Sequence, residues 1–120
     1  MIFSRKFMTD DSNITDIKLV SLVAPVYNEE ANLLDLVSRC VVVGEALDYD
    51  YEIILVDDGS ADSSAQMIQQ AAEEHHGKVI GVLLNRNYGQ HSAVMAGIEQ
   101  SRGEVVGTLD AELPNPPEAI

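Results

Sequence analysis

Four short apolar runs recur along the chain: Leu19–Ala24 (LVSLVA), Glu52–Val56 (EIILV), Val79–Leu84 (VIGVLL) and Val105–Leu109 (VVGTL). They are rich in Val, Ile and Leu and nearly continuous, the pattern of strands buried on both faces. Between them, apolar positions recur at helical spacing. Leu33, Leu36, Val37, Cys40, Val41, Gly44 and Leu47 mark a first helix, entered through YNEE, with Asn28 as N-cap and Glu29 and Glu30 in the positive first turn. A second helix begins near Ser60–Asp62 and carries Ala65, Ile68, Ala71 and Ala72 on one face. A third runs from Gln90 through Ala93, Ala96 and Gly97 to Ser101, and Gly103 stops it. The order βαβαβαβ predicts an α/β fold, a mainly parallel sheet with helices on both faces.

Composition narrows the classes. A chain of 120 residues makes one small domain and buries roughly two-thirds of its unfolded surface. Its 20 acidic residues against 7 Lys and Arg give a net charge of −13, which argues against a nucleic-acid or anionic-membrane surface, because neutralising phosphates needs clustered cations. The single cysteine, Cys40, makes no internal disulfide and suits a reducing compartment. No apolar run has the ~18 residues of a spanning helix. MIFSRKFMTDDSNITD has no long apolar core and no small-residue cleavage site. Residues 1–17 therefore read as a polar lead-in, loosely packed or disordered, ahead of a folded unit over 18–120.

In open parallel sheets ligands bind beyond the carboxyl ends of the strands. Those ends carry PVYNEE (25–30), DDGS (57–60), NRNYGQ (85–90) and DAELPNPP (110–117). Polar caps account for part of this. They do not account for acidic residues at three of four ends, including the adjacent pair Asp57 and Asp58. Such convergence either holds a divalent cation or accepts hydrogen bonds from a ligand. Asp110 and Glu112, at i and i+2, share a side in extended geometry, so both can face one ion. His91 follows the third strand as a ligand-facing group or a helix cap. His75 and His76 suit a solvated helix end. Cys40 reads as a small core residue, and Met67 and Met95 as packing or surface residues.

Together VSLVAPVYNEEANL, YEIILVDDGSADSS, LLNRNYGQHSAVMAGI and GEVVGTLDAELPNPPE resemble the family 2 glycosyltransferases with the GT-A fold. Within them the resemblance is strongest to polyprenyl-phosphate glycosyltransferases, a group containing dolichyl-phosphate mannose synthase and the undecaprenyl-phosphate sugar transferases. It covers residues 18–120, the nucleotide-binding front half of that catalytic domain.

The resemblance implies a nucleoside-diphosphate sugar as donor, a polyprenyl phosphate such as undecaprenyl phosphate as acceptor, and an inverting, metal-assisted displacement with Mg2+ or Mn2+. It places Pro25, Tyr27 and Glu29 around base and ribose, with Tyr27 offering a stacking face. Val56 and Asp58 would meet the base, Asp58 accepting from a ring N–H, while Asp57 orients the turn or the ribose. Asp110, Ala111 and Glu112 would form the DXD-type motif, Asp110 and Glu112 being both catalytic and metal-holding. Arg86 either touches a phosphate or stands as a solvated loop charge. An acceptor that is already an anion needs no general base, so transfer rests on positioning and leaving-group stabilisation.

Two positions depart from the family pattern: DAELP stands where the group usually has DADLQ. Glu112 carries its carboxylate one methylene farther out, and Pro114 offers no side-chain donor or acceptor. The rival reading is therefore a degenerate, non-catalytic module that binds sugar nucleotides or another subunit. A dinucleotide-binding oxidoreductase is excluded by the absence of G-x-G-x-x-G, and a phosphoacceptor receiver by LLNRN where an aspartate is needed. Further expectations are weak nucleotide binding without turnover by the 120 residues alone, and self-association through an exposed sheet edge. The longer protein is expected on the cytoplasmic face of the inner membrane, serving cell-envelope polysaccharide synthesis.

Overall fold

The four apolar runs form neighbouring strands, each satisfying its backbone through the next. The computed structural model describes residues 2–4 and 17–109. Its elements are β1 (Ile2–Ser4), β2 (Leu19–Val26), α1 (Leu33–Glu45), β3 (Asp50–Asp57), α2 (Ser64–Glu74), β4 (Val79–Leu83), α3 (Gln90–Gln100) and β5 (Val105–Thr108). The sheet order is β1-β5-β2-β3-β4. β2, β3, β4 and β5 are mutually parallel, and β1 adds antiparallel to the outer side of β5.

Alternation along the strands sorts the core into two layers. Val20, Leu22, Ala24, Val26, Ile53 and Leu55 pack with Leu33, Leu36, Val37 and Cys40 of α1 and Ile68 and Ala71 of α2. Val23, Ile54, Val56 and Val106 pack on the other face with Ala93 of α3. Gly97 allows α3 to settle there, since a Cβ at that position would overlap the Val23 side chain and stand 2.9 Å from Val56 Cγ2. A buried carboxylate fixes the opposite, amino end of the sheet. Glu52 accepts from Ser21 Oγ at 2.6 Å, from Arg102 N at 2.7 Å and from Arg102 Nε at 3.1 Å. Ser21 Oγ in turn accepts from Gly103 N at 2.9 Å.

The connection order positions the site. From β2 the chain steps outward to β3 and β4, then α3 carries it back to β5 on the far side of β2. That reversal makes the carboxyl ends of β2 and β5 the topological switch point, where open α/β sheets bind ligands in a crevice.

Several boundaries differ from the sequence expectation. Asn28 is not the N-cap of α1: Asn32 is, and Asn28 sits in the left-handed region at φ 51°. Asparagine tolerates that region because its short side chain bonds locally or across a turn, and here it reaches the β3–α2 loop. Glu29 and Glu30 consequently precede the helix. α2 starts at Ser64 rather than Ser60–Asp62, whose side chains serve the loop instead. α3 ends at Ser101 in extended conformation. Gly103 lies beyond it and is needed for closeness rather than as a helix stop, since a Cβ would stand 2.7 Å from the Leu19 carbonyl. Of the lead-in, Ile2–Ser4 joins the sheet, and residues 5–16 lie outside the described residues.

Candidate functional site at the carboxyl edge

The adjacent carboxylates at the end of β3 do separate jobs. Asp57 is 3% exposed and Asp58 2%. Asp58 turns toward the loop that leads into α3. Its Oδ1 accepts from Tyr88 N at 2.8 Å, and its Oδ2 from Gly89 N and Asn87 Nδ2, both at 3.0 Å. Asp57 takes only Ser60 N, at 3.1 Å on Oδ2. Its Oδ1 is buried and has no hydrogen-bond partner among the described residues. Gly59, at φ +73°, lets the following backbone press against Arg86 and Asn87, where any Cβ would overlap main chain.

The β2–α1 and β3–α2 loops are laced together reciprocally. Asn28 N donates to Ser60 Oγ, and Ala61 N to Asn28 Oδ1, both at 2.8 Å. Glu29 N donates to Ser64 Oγ at 3.0 Å, Glu30 N to Asp62 Oδ2 at 3.2 Å, and Ser63 N to Glu30 Oε2 at 3.1 Å. Hydrogen bonding from Ser64 also holds the Asp62 carboxyl below its usual range. These bonds, with those of Asp58, tie three loops together at the carboxyl edge. Asn28 and Ser60 were read from sequence only as helix-start residues, and Ser64 and Asn87 were not singled out; their only signal was turn-type residues beside strand ends.

The expected site residues fall unevenly. Tyr27 is 48% exposed just past the end of β2, and Pro25, near the end of that strand, is half-buried. Glu29 is buried, its Oε2 accepting from Asn32 Nδ2 at 2.9 Å. Val56 lies wholly beneath α3, so its side chain has no free surface. Arg86 is exposed and stacks over the Tyr88 ring at 4.9 Å. His91 is exposed in the first turn of α3. Asp110, Ala111 and Glu112 lie outside the described residues. The last described bond before them, Leu109 N to Val23 O at 2.9 Å, brings the chain to the same edge. Among the described residues no group of three or more His, Cys, Asp or Glu is placed to hold a metal ion.

Acidic turns at the switch point of a parallel sheet suit a ligand carrying N–H and O–H donors. Residues 21–120 match the model of glycosyl transferase family 2. The chain belongs to that family. It is 58% identical over 108 residues to an undecaprenyl-phosphate 4-deoxy-4-formamido-L-arabinose transferase of Aeromonas hydrophila subsp. hydrophila, covering 90% of this chain and 33% of that protein. The Pseudomonas fluorescens protein of the same name is 59% identical over 104 residues, 87% of this chain and 30% of its own. This family 2 chain thus spans about a third of the length of those relatives.

Solved structures share its architecture. The mannosyltransferase PcManGT of Pyrobaculum calidifontis, in complex with GDP-Man and Mn2+, superposes with a TM-score of 0.66 at 24% identity, over 77% of this chain and 27% of its own. S. aureus TarS in complex with UDP-GlcNAc gives 0.63 at 23% identity, over 77% and 26%. The α/β GT-A fold read from the sequence is the fold observed. Among the described residues no helix is long and apolar enough to cross a membrane.

Proposed function

We propose that this chain is the donor-binding part of an enzyme that moves a sugar from a nucleoside diphosphate to a polyprenyl phosphate. The observation that carries the reading is Oδ1 of Asp57, buried at the carboxyl edge of the sheet without a partner among the described residues. A buried carboxylate oxygen left unpaired is costly, and a ribose hydroxyl or base N–H is the donor it lacks. Asp58 supports the same reading. A carboxylate offers about four lone-pair sites, and three N–H groups occupy it here, which leaves Oδ1 able to accept a ring N–H. Tyr27 stacks on the base, and Pro25 and Glu29 border it. Val56 acts only through the strand that sets Asp57 and Asp58. Arg86 meets a phosphate, its guanidinium held over Tyr88.

Asp110, Ala111 and Glu112 follow Leu109 in sequence, and both carboxylates would supply the hard oxygen donors that suit Mg2+ or Mn2+. A bound cation would neutralise charge on the departing nucleoside diphosphate. The residues of this chain bind and orient the donor and supply no general base. An anionic lipid phosphate attacks the anomeric carbon, and the configuration there inverts. The high identity to relatives named for undecaprenyl-phosphate transfer supports that acceptor class.

Calorimetry with UDP-, GDP- and CDP-sugars, with and without Mn2+, tests this reading. Binding that strengthens with Mn2+ and is lost in Asp110→Ala is the expected result. Binding indifferent to both would leave a non-catalytic sugar-nucleotide module, the reading that Glu112 and Pro114 favour.

A further inference from the structure

The two edges of the sheet are finished differently. β1 covers β5 on one side, whereas β4 has no strand beyond it among the described residues. Lys78 O accepts from Ile53 N at 2.7 Å, and Leu84 N donates to Asp57 O at 2.9 Å. Even-numbered residues of this segment therefore address β3, and by strand alternation residues 79, 81 and 83 turn their backbone groups outward. Val79 N is taken internally by His75 O at 2.9 Å. The outward row is thus the carbonyl of Val79 and both polar groups of Gly81 and Leu83. Gly81 is exposed and Leu83 is 43% exposed.

Sheet edges of soluble proteins are usually blunted by a charge, a proline or a bulge. None occurs from Val79 to Asn85, VIGVLLN. We propose that the β4 edge pairs with the β4 edge of a second copy of this chain, antiparallel about a two-fold axis at Gly81. The outward groups match themselves in that register. Gly81 N–H of each copy donates to Gly81 C=O of the other, and Leu83 N–H of each donates to the opposite Val79 C=O. Side chains agree as well: Leu83 falls opposite Val79, Ile80 opposite Val82, and Lys78 opposite Leu84. No like charges are opposed, which an arbitrary partner strand would not guarantee. Such pairing joins two sheets into one continuous sheet and leaves the carboxyl-edge crevice open.

Sedimentation equilibrium from micromolar to millimolar chain tests this, together with amide hydrogen exchange across the same range. The expected result is a monomer–dimer equilibrium in which Gly81 and Leu83 amides gain protection with concentration while exposed loop amides do not. Leu83→Lys, a charge at an already exposed edge position that would fall opposite apolar Val79 of the other copy, should weaken the dimer at least about tenfold, with an unchanged circular dichroism spectrum. A monomer at every concentration overturns the proposal. So does a dimer that survives Leu83→Lys, or one whose concentration-dependent protection falls on β1 and β5.

Discussion

Asp57 and Asp58 are adjacent in sequence and are held on opposite faces of the sheet, one carboxylate nearly saturated and the other half empty. Asp58 accepts three N–H groups of the loop before α3. Asp57 accepts one and leaves Oδ1 bare. Their proximity in the sequence LVDDGS suggests a shared ion. The backbone alternation separates them, so Asp58 holds the loop before α3 and Asp57 the turn into α2.

Substitution should split these roles. Asp58→Ala strands the amides of Tyr88 and Gly89 and the Asn87 side chain, and should cost about 3 kcal/mol in urea unfolding. Exchange at the amides of Tyr88 and Gly89 should accelerate with it.

Asp57→Asn should behave oppositely. It keeps an acceptor for Ser60 N and removes a buried, partly unpaired charge, so the fold should hold or gain up to about 1 kcal/mol. Sugar-nucleotide affinity, read by calorimetry, should fall about tenfold, the worth of one good hydrogen bond.

At the other end of the sheet, Glu52→Ala leaves Ser21 Oγ and Arg102 N without their acceptor in a buried setting. Loss of about 3 kcal/mol is expected by chemical denaturation. Glu52→Gln, which keeps one acceptor oxygen, should lose less.

Alkaline pH should unfold the chain through two protonated groups. Burial pushes the Cys40 thiol from 9.0 up to about 12. The Tyr51 phenol rises from 10.0 to about 12, first through its hydrogen bond to Glu45, 2.7 Å to Oε2. In both cases the folded pKa exceeds the unfolded one, so the folded state keeps a proton that the unfolded state releases. The stability they contribute is full below pH 9 and is lost as pH rises toward 12. Urea midpoints measured across that window should fall steadily, and Cys40→Ala should flatten the portion starting near 9. Thiol reagents should modify native Cys40 only as fast as the chain opens.

Much of this was legible in local pattern. The runs LVSLVA, EIILV, VIGVLL and VVGTL became parallel strands because continuous apolar sequence needs cover on both faces. Leu33, Leu36, Val37 and Cys40 lie buried where helical periodicity put them. What was not legible depends on partners some thirty residues or more away. Asn28 looked like a cap, yet its side chain serves Ala61. Glu52 looked like one polar residue in an apolar run, yet Ser21 and Arg102 make its burial tolerable. Val56 was expected beside a ligand and lies under α3, since only the packed order of strands decides which side of β3 stays open. Asp110 and Glu112 rest on motif and on the direction of β5.

The most direct test is an amide NMR titration of this chain with a nucleotide sugar. The proposed donor site should give saturable shifts at Tyr27, Asp58, Ser60, Tyr88 and Leu109, the residues around the carboxyl ends of the strands. Shifts gathered instead at Glu52, Arg102 and Glu104 on the amino edge, or none at millimolar ligand, would contradict it.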